Sequence, residues 1–227
     1  MVALAVGRVA NPVPAALIGW AAFVASFTAL SYAARFAGPS PPKDVAYRWD
    51  SSIAALVQTA LVLGIVLLIA WGRDKRDFFA LRRPRSWARA AGISLGILGA
   101  VVLLAQLLGP YIDPEAEQGL TPTYWDPDRA PQFAAYAIAV AVAAPIVEEL
   151  VFRGAGFTLL AQFGERAAIA VTGVAFGLAH GLVEGLPIIT AFGLGLAVLR
   201  NRTDSLYPCI LLHSAFNALA LGLSLTT

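Results

Sequence analysis

Long apolar blocks alternate along this chain with short polar clusters, and the blocks have the length of membrane helices. Seven of them, each of about 13–30 residues, are long enough to cross a bilayer once tilt and helix ends are allowed for. They run Val13–Ala34, Ile53–Trp71, Ala90–Leu108, a fourth from Phe133, Ala168–Val183, Pro187–Leu199 and Leu206–Leu225. The fold class predicted is all-α, a polytopic bundle of about seven transmembrane helices. We divide it into an N-terminal three-helix region, 1–132, and a four-helix core, 133–227, within one integrated membrane domain. No internal repeat or heptad interrupts the pattern, and Ala-Gly-rich faces in the last four blocks predict close helix packing.

The connectors differ in charge. Gly72–Arg89 carries seven basic residues and two acids, whereas Gly109–Gln132 carries five acids, one arginine and five prolines. Basic loops stay on the cytoplasmic side. That places the N-terminus inside, the acidic connector outside, the turns GERA (Gly164–Ala167) and RNRTDS (Arg200–Ser205) inside, and the C-terminus outside. The Pro-rich GPSPPKD (Gly38–Asp44) must be a loop. Trp71, Trp87 and Trp125 fall where interfacial aromatics belong, and the basic loop reads as a topology signal in contact with lipid headgroups.

Composition agrees. Of 227 residues, 59% are hydrophobic and only 13% charged, against about 25% charged in an ordinary soluble domain, and mean hydropathy is +0.73. The expected site is the cell membrane, with the bilayer itself as a partner and no nucleic acid. The single cysteine, Cys209, excludes an internal disulfide and a Cys-rich metal centre. The first residues lack the basic start and cleavage site of a signal peptide and are expected to be retained.

Against this background the polar groups inside the blocks stand out. Glu148, Glu149 and Arg153 lie in one apolar helix, where each unpaired charge costs roughly 2.5–3.5 kcal/mol. Glu149 and Arg153 are four apart in the favourable order and are read as a self-neutralising structural pair. Glu148 points about 100° away, into the bundle or a hydrated cavity. The chain's two histidines, His180 and His213, both fall in this half, and Asn217 shares a face with His213. Each alone can be an ordinary inter-helix hydrogen-bonding residue; their co-occurrence favours a site. Glu184 is placed at the outer rim as a solvated charge. Counting about 1.5 Å per residue from these helix ends sets His180 roughly 10 Å further outward than Glu148 and His213.

A glutamate, two histidines and an asparagine support peptide hydrolysis in two ways. In one, Glu148 takes a proton from water positioned by His180, and His213 with Asn217 stabilises the oxyanion. In the other, Glu148, His180 and His213 bind zinc and leave a fourth position for water. The metal-free route is favoured here, because an asparagine beside a metal-bound imidazole has no ligand role. No HExxH or GxSxG pattern is present.

EELVFR (Glu148–Arg153), FGLAH (Phe176–His180) and HSAFN (His213–Asn217) resemble, in order, the EExxxR, FxxxH and HxxxN motifs of one family. It is the CAAX-protease and bacteriocin-processing (CPBP or Abi) family of intramembrane endopeptidases, including CAAX prenyl proteases of the Rce type. The resemblance runs from about Phe133 to the end. It implies a helical membrane peptidase whose substrate is a membrane-associated peptide, prenylated near its C-terminus in the CAAX branch. It also implies Glu148 and His180 as water activators, His213 and Asn217 as the oxyanion site, and Glu149 with Arg153 as the accompanying pair. Oligomeric state is open. Competing readings are a non-catalytic scaffold or immunity protein, a proton- or ion-coupled transporter, and a transferase acting on lipid-linked substrates. Against the transporter, no repeat with paired broken helices is visible; against the transferase, the cytoplasmic loops lack an acidic cluster for Mg²⁺.

Overall fold

A computed structural model describes residues 13–39, 42–112, 122 and 124–225. Among these all regular secondary structure is helical, with no strand. The expectation for the first residues lies outside the described residues, as do parts of GPSPPKD and of the acidic connector.

In chain order the helices are α1 (Val13–Ala37), α2 (Trp49–Ile69), the single turn α3 (Lys75–Phe78) and α4 (Trp87–Leu108). Then follows one continuous helical segment, Pro127–Phe163, composed of α5 (Ala130–Ile138), α6 (Ala144–Glu149) and α7 (Phe157–Leu160) with π-helical stretches between them. The last three are α8 (Glu165–Ala179), α9 (Leu186–Thr203) and α10 (Tyr207–Ser224). The helix ends shift by a few residues from the apolar blocks, because polar caps sit outside them. Ser86 Oγ accepts from Arg89 N at 3.2 Å and starts α4 ahead of the apolar run.

Five of these helical segments, α1, α2, Trp87–Tyr111, Pro127–Phe163 and α10, are long and apolar enough to cross a membrane. The other two blocks fall short for a physical reason. α8 has 15 residues, about 22 Å against a hydrocarbon core of about 30 Å, and the last turn of α9 is Arg200–Thr203. The two pack on each other; α9 is largely enclosed, whereas α8 keeps Val171, Val174 and Leu178 on an exposed face. Glycines allow that approach. A Cβ on Gly193 would lie 2.6 Å from the Gly173 carbonyl oxygen, and one on Gly177 would lie 2.2 Å from Thr190 Oγ1. The perimeter is apolar: Ile18, Leu61, Leu95 and Leu211 are each more than half exposed, the reverse of a soluble protein.

Two π-helical stretches flank the paired glutamates. Ala139–Ala143 precedes Pro145, which has no N–H to donate and whose ring crowds the carbonyl four residues back; a widened turn accommodates both. Leu150–Gly156 follows Glu149. In it the Val151 carbonyl accepts from Trp20 Nε1 of α1 at 2.9 Å, which anchors the first helix to the middle of the long one.

Both ends of the bundle are tied. At the basic end Arg82 reaches Asp204 (2.8 Å) and Thr158 Oγ1 donates to the Phe78 carbonyl (2.9 Å). Burial raises the Asp204 carboxyl, but hydrogen bonds from Arg82 and Arg200 outweigh it and hold the group below the usual range. At the other end Arg129 bridges Asp44 (2.9 Å) and Asp126 (2.7 Å). The Arg129 hydrogen bond likewise lowers the Asp126 carboxyl.

Candidate active site

Glu149 is the hub of a buried network. Its Oε1 accepts from Arg153 Nη1 at 3.0 Å and from His213 Nδ1 at 2.9 Å. Both Glu149 and Arg153 have no solvent-exposed surface. Arg153 Nη2 donates to the Gly193 carbonyl at 2.6 Å, its guanidinium lies 4.4 Å from the Phe176 ring centre, and the Arg153 carbonyl accepts from Arg200 Nε at 3.2 Å. The charges are offset by a partner, a carbonyl and an aromatic face, although Glu149 Oε2 and Arg153 Nε have no hydrogen-bond partner among the described residues. The expected ion pair is present. What the sequence did not show is the link from Glu149 to His213, 64 residues away. No local signal marks such a contact.

Glu148 points elsewhere, as the helix phase predicts. It lines a cavity of about 310 Å³ whose walls are mostly apolar. His180 lines the same cavity, and its Nε2 is 3.9 Å from Glu148 Oε2; His213 Nε2 is 3.8 Å from that same oxygen. The 10 Å outward offset of His180 expected from the helix ends is not found. The reason is the turn at Gly164 (φ +103°), which only glycine adopts without strain. Glu148 and His180 lie equally far from it along the chain, sixteen residues on either side, so antiparallel packing brings them level.

The tautomers follow from the partners. His180 Nδ1 is 2.7 Å from the Phe176 carbonyl, which only accepts, so Nδ1 carries the proton. His213 Nδ1 faces the Glu149 carboxylate and is likewise the donor. When neutral, both rings therefore turn an Nε2 lone pair toward Glu148. Glu148 Oε2 is itself buried and has no hydrogen-bond partner among the described residues. Three acceptors converge on a gap too wide for direct hydrogen bonds. Such a gap takes a donor: a water, a protonated ring, or a cation.

The donor set resembles that of a catalytic zinc site, with each Nδ1 held by a carbonyl or carboxylate. The spacing is looser. Ligands of a tetrahedral zinc stand about 3.3 Å apart for bonds of about 2.0 Å, and no group of three His, Cys, Asp or Glu among the described residues is placed to hold a metal.

Asn217 is drawn to a different partner. Its Nδ2 donates to the Val140 carbonyl at 2.8 Å, in the first π-helical stretch, and Val140 lines the cavity. This bond ties α10 to the helix that bears Glu148. Glu184, in the turn after α8, is half-buried rather than fully solvated. The first two helices, which carry no motif, supply much of the cavity wall: Phe23, Phe27 and Ser31 from α1, and Gln58, Thr59 and Val62 from α2.

A helical membrane protein with a buried carboxylate–histidine centre beside an apolar cavity is the class these features define. Residues 130–219 match the family described as Type II CAAX prenyl endopeptidase Rce1-like, a match that supports the resemblance to the CPBP family over this stretch. The matched stretch contains every residue of the centre. No curated protein and no solved structure matches the chain.

Proposed function

We propose that this protein is an intramembrane endopeptidase that cleaves a membrane-associated peptide, with Glu148 as general base. The observation that carries this reading is the convergence of His180 and His213 on Glu148, with Glu148 and His180 at the wall of an apolar cavity. Water bridging Glu148 Oε2 and His180 Nε2 loses a proton to the carboxylate as it attacks the peptide carbonyl. His180 accepts a hydrogen bond from that water and fixes its lone pair toward the substrate. The oxyanion is received by His213 Nε2 and by the second amide proton of Asn217.

The Glu149 contact sharpens the role of His213. Because Nδ1 is committed to a carboxylate, Nε2 donates only when the ring is an imidazolium. With both rings neutral, Glu148, Glu149 and Arg153 carry a net charge of −1; one proton on His213 brings the buried cluster to zero. A zinc ion at the three convergent acceptors is the second reading, favoured by the Nδ1 anchoring of both rings. There Glu148, His180 and His213 would hold the metal, which would acidify a bound water.

The cavity suits an apolar chain beside the scissile bond, which supports a substrate prenylated near its C-terminus. We place the protein in the cell membrane with α1, α2, α4, the long helix, α8, α9 and α10 as seven crossings, N-terminus inside and C-terminus outside. Purified protein should cleave prenylated peptides, with the bond identified by product mass spectrometry, and should cleave the unprenylated versions at least tenfold more slowly. Equal rates on both would remove the prenyl assignment. Stoichiometric zinc whose removal abolishes cleavage, and whose return restores it, would replace the metal-free mechanism by the second reading.

A further inference from the structure

The basic end of the bundle holds a second cavity, of about 580 Å³, which shares no lining residue with the cavity of Glu148 and His180. Five arginines line it: Arg82, Arg85, Arg89, Arg200 and Arg202. Three acids share the space, so the cleft has a surplus of two positive charges. The acids are not free to absorb that surplus. Asp204 takes both Arg82 (2.8 Å) and Arg200 (3.0 Å), and Asp77 also faces Arg82 (3.5 Å). Glu165 accepts from Asn201 Nδ2 at 3.0 Å and opens α8, where the helix dipole favours a negative charge.

Arg85, Arg89 and Arg202 are left over. Their guanidinium groups make no hydrogen bond or ion pair among the described residues, and they come from two separate parts of the chain, the loop and first turn of α4 and the last turn of α9. Trp87, half-exposed between Arg85 and Arg89, sets the depth, because exposed tryptophans at helix ends sit at headgroup level. A free anion in water has no need of this position. An anion carried by lipid is held there.

We propose that this cleft binds the phosphodiester headgroup of an anionic phospholipid, with Arg85, Arg89 and Arg202 as phosphate ligands. Arginine forks suit phosphate oxygens, and the paired Arg82, Arg200 and Asp204 line the same cleft. The inference is independent of the catalytic reading.

The test is thermal unfolding of the full chain in phosphatidylcholine nanodiscs with and without phosphatidylglycerol. Phosphatidylglycerol should raise the midpoint by about 5 °C at a hundredfold excess over its dissociation constant. R85Q/R89Q/R202Q should abolish that shift. R76Q/R83Q/R166Q, which removes the same charge from the same end but outside the cleft, should keep it. Equal loss in the two triple variants would overturn the cleft in favour of diffuse attraction. A full shift from inorganic phosphate in phosphatidylcholine alone would assign the site to a soluble anion instead. Should the first triple variant not fold, native mass spectrometry of the wild-type protein decides: retained phosphatidylglycerol with no retained phosphatidylcholine supports the site, and equal retention of both overturns it.

Discussion

Glu148 and Glu149 are adjacent in sequence and opposite in circumstance. Glu149 is enclosed, with Arg153 and His213 on one oxygen; Glu148 faces the cavity with Oε2 unpartnered. Helix phase makes that division legible, because a 100° step per residue separates neighbours and the i,i+4 rule pairs Glu149 with Arg153. The tie to His213 was not legible, since only the packing of α10 on α6 creates it. Replacing Glu149 by glutamine leaves Arg153 buried without a counter-charge. The expected cost is about 3–5 kcal/mol, read as a lower unfolding midpoint, with activity falling as His213 exchanges a carboxylate partner for a neutral amide oxygen. A Glu149→Gln protein as stable as wild type would contradict the network described here.

At the scale of elements, the apolar blocks predicted the helices but not their irregularities. Pro145 is the one visible signal for the first π-helical stretch; in Leu150–Gly156 the glycines at 154 and 156 mark a place where the helix can depart from regular geometry. The depth of His180 was readable in principle. Counting from the Gly164 turn gives the right level, whereas counting from the membrane ends of α8 and the long helix adds their separate end errors. The α8–α9 contact was foreshadowed by the Ala-Gly-rich faces, and it gives a paired test. Gly193→Ala would put a Cβ 2.6 Å from the Gly173 carbonyl oxygen, backbone that cannot swing aside, and should cost about 1–3 kcal/mol. Gly96→Ala meets nothing within 4 Å and should be neutral or stabilising by up to about 1 kcal/mol. Comparison of unfolding midpoints checks both. Equal midpoints would mean that α8 and α9 do not touch as described.

For the whole molecule, the three motifs pointed to one centre, but the walls around it were invisible beforehand. α1 and α2 line the cavity with Phe, Val and Ala residues and with the uncharged polar Ser31, Gln58 and Thr59, none of them part of a motif, so only the assembled bundle shows their role. Loop charge predicts the direction of the bundle in the membrane. Cysteines placed in Gly72–Arg89 should be shielded from impermeant thiol reagents in intact cells, and cysteines near Tyr124 should label. The cavity lies nearer the α1–α2 connector than the basic end, so this orientation sets the centre in the outer half. The reverse labelling pattern would turn the centre toward the cytoplasm.

The claim on which the account rests is that Glu148 activates the attacking water, and the most direct measurement is turnover of purified Glu148→Gln. The glutamine preserves shape and removes only the base. Cleavage should fall by about 10²–10⁴-fold, while helical content and unfolding midpoint remain those of the wild type because Glu148 Oε2 holds no structural hydrogen bond. A folded Glu148→Gln protein that cleaves at a near wild-type rate would contradict it.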